Sequence, residues 1–516
     1  MKYVKVKTAT IDGLKIIPLE LEVTILKGLP RFEISGIQSA RGQEMFSRVR
    51  AALLNNGFKI PNSRIVCNLS CEVRYQEQTA PDLALALAIL LADRQISSVE
   101  KEYFVLGRLS LSGQVSPIRG LYAIWHRVER EDKNSWLIPR PSQGELCYEK
   151  ITRKDKVFSI GDINQAVDVV SGKNLDFYYY QESTQNKQKK KPKKVLPLVA
   201  QPLAQRALTI ALAGRHPLLL IGSPGCGKTS LAESAADFLP DLDPEERREI
   251  RELYSLKGMW EQHDLDETSA SFQAPPYQIS QEAMLGGGRD LLPGLISLAH
   301  QGILFLDEFN QFRPSVIQLL RKPMSEQKVE LNYRGRSLSY PANFLLIAAM
   351  NPCPCGYLFE GPDRCHCKEY EIKRYKKKIS ASVLDRFQLA VVMKNLHKED
   401  LIKTANVDGL TDSQIKETKE MIVKARAIQK SRCMAAGIPN KANSQIQEGR
   451  LLEFFQVDRK ALSEYNNWLD AYKLSPRSYL ATIKVSRTIA DLAQSPNVRL
   501  CHLQEALMFR IRDEIY

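Results

Sequence analysis

The sequence predicts an α/β protein in three parts: a central parallel-sheet core, a smaller α+β domain before it and an all-helical lid after it. Three observations predict this. Residues 1–175 alternate short strands with helices, apolar strands and long helices alternate over 196–395, and strand signals vanish over 396–516. A polar, lysine-rich stretch at 176–195 divides the first part from the second and reads as a linker. A chain of 516 residues is long enough for each part to bury a core of its own. Apolar and charged fractions of 44% and 26% are those of a soluble globular protein.

In the first part, Val4–Ile11 and Ile16–Ile25 alternate apolar and polar residues as strands do, and Gly28-Leu29-Pro30 turns the chain into a short strand at Phe32–Ile34. Glu44–Asn55 carries apolar positions at helical spacing. Leu83–Ala92 is the longest apolar run, about half of what a membrane span needs, and reads as a buried helix. Tyr103–Leu111 reads as a strand ending at Ser112-Gly113. The N-terminus lacks the apolar core and cleavage site of a signal peptide, so a cytoplasmic protein is expected.

The second part holds the chemistry. Gly222-Ser223-Pro224-Gly225-Cys226-Gly227-Lys228-Thr229 lies between an apolar strand at Pro217–Ile221 and a helix at Ser230–Leu239. Glycines there let backbone N–H groups turn inward around phosphates at a helix N-terminus, which already favours anions. Lys228 is expected on the β- and γ-phosphates of ATP and the Thr229 hydroxyl on Mg²⁺. Ile303-Leu304-Phe305-Leu306-Asp307-Glu308 is an apolar strand ending in two carboxylates, Asp307 to hold Mg²⁺ and Glu308 to orient and deprotonate water. A third strand, Asn343–Ala349, ends at Met350-Asn351, where an amide can stand beside the γ-phosphate. Leu384-Asp385-Arg386-Phe387 sets a guanidinium in a helix-to-strand turn, from which it could serve a neighbouring subunit.

Four of the ten cysteines crowd into 353–367 as Cys353-x-Cys355 and Cys365-x-Cys367. Two close pairs of thiolates can make a tetrahedral Zn²⁺ site, although the spacing is tighter than the usual C-x₂-C and His366 competes for one position. Reduced surface thiols are the alternative.

The net charge of +14 is concentrated, with six lysines in Lys187–Lys194 and five basic residues in Lys373–Lys378. Such an excess favours a polyanionic partner. Two candidate DNA-gripping loops fit that partner: Arg289 beside Gly286-Gly287-Gly288, and Arg334 and Arg336 at the tip of a hairpin with strands Lys328–Asn332 and Ser337–Tyr340. In the third part Asp412–Lys430, Asn443–Phe455, Arg459–Leu474, Pro476–Gln494 and Leu503–Ile511 read as helices.

Taken in order, Gly222–Thr229, Gly286-Gly287-Gly288, Pro293–His300, Leu304–Glu308, Ala349–Gly356 and Leu384-Asp385-Arg386 resemble the magnesium-chelatase-like AAA+ family known as ComM or YifB. Gly28-Leu29-Pro30, Arg48–Ala52 and Leu106–Gly113 resemble its N-terminal Lon-protease-like domain, of the ribosomal S5 domain 2 type; Ser475–Tyr479 and Arg487–Ala493 resemble its C-terminal lid. The resemblance implies that Asn351 is sensor 1, Arg386 a finger acting in trans and Arg477 the sensor-2 arginine. It further implies a homo-hexamer, induced by ATP or DNA, that works as a helicase promoting branch migration when single-stranded DNA is integrated in natural transformation. A MoxR- or chelatase-like motor remodelling a protein partner is the alternative. The chain departs from the family at Leu198–Pro202 and at Ala274–Tyr277. Peptidase activity is not expected, because Asp82 stands where the Lon serine would be and Tyr122 where the lysine would be.

Overall fold

The computed structural model describes residues 2–70, 81–99, 102–128, 135–147, 149, 151, 156–173, 201–260, 270–395, 412–447, 449, 451–472 and 475–510. The lysine linker, the Leu198–Ala200 stretch, Leu474 and Ile511 lie outside them.

The alternating N-terminal strands form a mixed seven-stranded sheet. β1 (Lys2–Asp12) and β2 (Lys15–Leu26) make a long antiparallel hairpin, joined on one side by β4 (Arg64–Leu69) and β3 (Arg31–Ser35). On the other side follow β5 (Tyr103–Val105), β8 (Ser135–Pro139) and β9 (Val157–Ile160), giving the order β3-β4-β2-β1-β5-β8-β9. The strand expected over Tyr103–Leu111 is two pieces. Gly107, at φ +149°, separates β5 from β6 (Arg108–Leu109), which pairs instead with β7 (Val115–Ser116). The apolar helix Asp82–Ala92 is buried on nearly every face beneath β1 and β2, as its all-round apolar sequence requires.

The second sheet is parallel, in the order β11-β14-β17-β10-β18, from β11 (Phe272–Gln273), β14 (Ile303–Leu306), β17 (Leu345–Met350), β10 (Leu218–Gly222) and β18 (Leu389–Met393). Its inner strands are buried on both faces, which is why they read as continuous apolar runs. Two small hairpins project from it: β12 (Gly286–Gly287) with β13 (Leu292–Pro293), and β15 (Lys328–Tyr333) with β16 (Arg336–Pro341).

Beyond β18 the described residues form helices with one isolated bridge between Val457 and Val498. The first runs Asp412–Ala435, longer than expected. The helix expected over Asn443–Phe455 is absent: a short turn at Asn443–Gln445 and a helix at Leu451–Phe454 flank a turn at Gly449. Asn443 itself is buried, its side-chain amide donating to Thr488 and Asp491. Arg459–Tyr472, Pro476–Leu492 and Leu500–Met508 complete the lid.

The parts are welded together. One apolar cluster runs from Ile11, Leu121, Trp125 and Trp136 of the first sheet's layer to Leu253, Tyr254 and Leu298 of the second. Arg127 pairs with Glu252 across this boundary, and the Trp260 indole donates to the Gly144 carbonyl (2.9 Å). Lid and core are held by Arg206–Glu505 (2.7 Å) and by buried His216, whose Nε2 meets the Thr488 hydroxyl at 2.7 Å. Burial pushes that imidazole down to about 4, so it is neutral. No helix among the described residues is long and apolar enough to cross a membrane.

Candidate active site

Strand β10 delivers the glycine-rich loop to the C-terminal edge of the parallel sheet, where ligands of such sheets bind. Gly225 and Gly227 take φ values of +80° and +91°, a region open to glycine and strained for other residues, and Gly227 leads into the helix Lys228–Ser234. Lys228 lies folded into the loop it follows. Its ammonium donates to the carbonyls of Gly222 (2.8 Å) and Ser223 (2.9 Å) and to Asn351 Oδ1 (3.2 Å). Burial lowers its pKa, while the Asp307 and Glu308 carboxylates pull the other way.

Strand β14 brings Asp307 and Glu308 to the same edge. The Thr229 hydroxyl donates to Asp307 Oδ2 (2.7 Å), and Asp307 Oδ1 accepts the Glu308 N–H (2.8 Å). Glu308 is left-handed at φ +51°, a strained setting for a carboxylate residue and one that swings it out of the strand's alternation. A hydroxyl and a carboxylate oxygen at hydrogen-bond distance are hard oxygen donors, the type Mg²⁺ takes. Gly222–Ser230, Asp307, Glu308 and Asn351 thus gather at one edge of the sheet.

Arg386 and Arg477 gather at the other. Arg386 precedes β18, whose Leu389 pairs with Leu218 at the start of β10, whereas the loop follows Gly222 at its end. At 3.3 Å per residue the sheet alone separates them by about 13 Å. Both arginines line one cleft of about 390 Å³ between core and lid, together with Arg215, Asp385 and Lys484. Arg386 donates to the carbonyls of Ser382 (2.6 Å) and Arg321 (3.3 Å). Burial lowers its pKa, and Arg477 and Arg321 lower it further.

The two basic loops meet as well. The Tyr340 hydroxyl of β16 donates to the Leu291 carbonyl (2.8 Å), tying the long hairpin to the triple-glycine loop. Arg289 and Arg334 are exposed, but Arg336 is bound by Asp12 at the end of β1. The free tip is therefore Arg334-Gly335 alone, and Arg336, opposite Tyr333 beside that tip, ties the hairpin to the N-terminal domain.

The four cysteine sulfurs of 353, 355, 365 and 367 converge within 4.8 Å of one another, a group that could hold a metal ion. Sequence reading missed Tyr375, which lies buried inside the basic run, close enough to Cys353 and Glu308 for both to act on its hydroxyl. The signal was there: Ile372, Tyr375 and Ile379 mark one apolar helical face among the lysines.

In the N-terminal domain, Asp82 is fully buried in a two-bond pairing with Arg48 (3.1 and 3.2 Å) and also accepts the Leu109 N–H (3.2 Å). Tyr122 is buried too, its ring stacked on Trp260.

Comparison with known proteins adds family models over most of the chain. Magnesium chelatase subunit ChlI matches residues 196–401, a ChlI subunit domain matches 21–142, and the ChlI C-terminal domain matches 412–510. YifB of Escherichia coli is 31% identical, with 99% of this chain and 97% of that protein covered. Competence protein ComM of Haemophilus influenzae is also 31% identical, over 95% and 94%. The chloroplastic magnesium-chelatase subunit ChlI-2 of Arabidopsis thaliana is 27% identical but covers only 26% of this chain.

Proposed function

The chain belongs to the magnesium-chelatase ChlI-like family of YifB and ComM, whose AAA core implies ATP hydrolysis, and on that premise we propose a ring-forming motor that works on DNA. In this reading it is a hexameric helicase that promotes branch migration as single-stranded DNA is integrated in natural transformation. Thr229 and Asp307 hold Mg²⁺, which neutralises phosphate charge; Lys228 binds the β- and γ-phosphates, and Glu308 orients and deprotonates the attacking water with Asn351 beside it.

The observation that carries the ring is the placement of Arg386 and Arg477 in one cleft at the sheet edge opposite their own P-loop. Neither can reach the nucleotide of its own subunit, so each serves a neighbour's. Two further features support DNA as the substrate. Arg289 and Arg334 are exposed on linked loops, and one full-length relative carries the name of a competence protein. The N-terminal domain, Lon-like in this reading, serves assembly and steadies the hairpin through Asp12.

One set of assays tests both halves. Forked or single-stranded DNA should raise ATP turnover, and the protein should move a branch point in a synthetic junction. Mixing Arg386→Ala with Lys228→Ala subunits, each inactive alone, should restore part of the turnover, because one supplies the loop and the other the finger. Turnover indifferent to DNA but raised by a protein client would move the chain to the remodelling alternative. Failure of the mixture to recover would remove the shared site.

A further inference from the structure

The segment after Asn351 carries four cysteines that ATP hydrolysis does not use. Sulfur separations are 3.4 Å for Cys353–Cys355, 3.6 Å for Cys355–Cys365 and 3.8 Å for Cys353–Cys365, with Cys367 in the same group. Four thiolates about 2.3 Å from a tetrahedral Zn²⁺ stand about 3.8 Å apart. A disulfide would bring a pair to about 2.05 Å. The spacing is that of a tetrathiolate site.

Apart from its turns and the polar contacts of Glu360 with Arg364 and Asn395, the segment has little apolar packing to hold its shape. Its only helical turn, Leu358–Glu360, buries no residue, and Phe359 is 41% exposed. Of the four sulfur-bearing residues only Cys353 is buried. A strip without an apolar core that nonetheless brings four sulfurs together is one that a metal folds.

Where the strip lies decides what the metal does. Gly356, at φ +89°, follows Cys355 and packs on the phosphate loop: a Cβ there would come within 2.6 Å of Pro224 Cδ and 3.8 Å of the Asn351 amide carbon. Tyr375, at the far end of the module, is buried, and besides that burial the charges of Cys353 and Glu308 raise its pKa. The cysteine module thus packs on the phosphate loop and approaches the amide that the ATP reading uses.

We propose that Cys353, Cys355, Cys365 and Cys367 bind Zn²⁺ and that the resulting clasp fixes the side of the ATP pocket formed by Pro224, Asn351 and Glu308, so that metal and nucleotide strengthen each other's binding. The clasp is a support for the subunit's own pocket. It rests on the ATP-site reading. Linkage makes the effect reciprocal, and couplings of this kind run from about 5- to 150-fold.

The full-length chain, purified without chelators, should carry one zinc per subunit. Loading with Co²⁺ in place of zinc should give the intense visible bands of tetrahedral thiolate coordination. Cys355→Ser/Cys367→Ser should lose the metal and bind a non-hydrolysable ATP analogue about tenfold more weakly. Stripping zinc from the unaltered protein with a chelator should weaken binding likewise, and re-adding zinc should restore it, which separates the effect from misfolding. Lys228→Ala should keep its zinc while losing nucleotide. Protein without bound metal, or with the cysteines joined as disulfides, overturns the site; full zinc occupancy with nucleotide affinity indifferent to its removal overturns the clasp. An unaltered, zinc-loaded protein that binds no nucleotide would instead overturn the ATP reading.

Discussion

Asp82 and Lys228 are both buried charges in the first turn of a helix, one in each sheet's domain, and they are satisfied in opposite ways. Asp82 is met by a full counter-charge, Arg48 in two hydrogen bonds, with the Leu109 amide besides. Lys228 is met by two carbonyls and one neutral side-chain amide, with its carboxylates near but not bonded to it. A buried charge closed by its opposite is finished as structure, whereas a buried cation held only by neutral dipoles has room in its electrostatics for an anion. Asp82 is a strut, and the P-loop lysine has stayed a socket.

The widest separation between the two comes from removing each charge. Lys228→Ala should cut ATP turnover by on the order of a hundredfold or more, because the phosphate charge loses its buried partner, while the melting temperature stays close to that of the parent. Asp82→Ala should do the reverse. It takes from half-buried Arg48 its buried counter-charge and leaves it the exposed Glu44, a loss of about 3 kcal/mol in the stability of the N-terminal domain, with the P-loop chemistry untouched in protein that still folds. Turnover assays and thermal melts on the two variants check this, and equal effects on both would dissolve the distinction.

The same contrast recurs on the surface, at smaller scale, between neighbours on one hairpin. Arg336 is paired with Asp12, whereas Arg334 is exposed at the tip over the Tyr333 ring, 5.3 Å from its centre. Arg334→Ala should lower DNA affinity several-fold and reduce the salt slope by about 1, as one phosphate contact does. Arg336→Ala should change the salt slope less and loosen the hairpin from the N-terminal domain, seen as faster amide exchange in β15 and β16. A larger loss of DNA binding from Arg336 than from Arg334 would reverse the assignment.

How much of this was legible in the sequence follows the same line between local and distant partners. The P-loop, Asp307, Glu308 and Asn351 could be read because each is announced by its own strand: an apolar run fixes the strand, and the strand fixes the edge at which its last residues emerge. All five strands of the parallel sheet obey that logic except β11, two residues long and without an apolar run of its own. What could not be read was pairing across the fold. Nothing near Arg336 in sequence points to Asp12, more than three hundred residues earlier. Nothing near Pro224 points to Gly356, and nothing in the arginines themselves shows that 386 and 477 share a cleft. Nothing near Asn443 points to its buried bonds with Thr488 and Asp491 either.

Glu145 tests whether the contrast is complete. It is buried at the boundary between the two sheets' domains and, like Lys228, is met by neutral partners, here the Ser255 hydroxyl and the N–H groups of Tyr122 (3.0 Å) and Leu121. By the rule above it should be a socket for a cation. A carboxyl has a second way out that a P-loop lysine lacks at neutral pH, which is to give up its charge by taking a proton. Burial pushes Glu145 from 4.5 up to about 7, against the pull of those three donors. Between those values the folded chain holds a proton that the unfolded chain has released, so stability falls as pH rises from about 4.5 to about 7 and levels off above, by up to about 3 kcal/mol in total. Glu145→Gln keeps the acceptor and cannot ionise, so it should remove that slope and leave the domains docked equally well at pH 5 and pH 8. Denaturant unfolding of both proteins across that range measures the difference. If the glutamine variant kept the full slope, the titrating group would lie elsewhere, and Glu145 would belong with Asp82 among the charges closed by the fold.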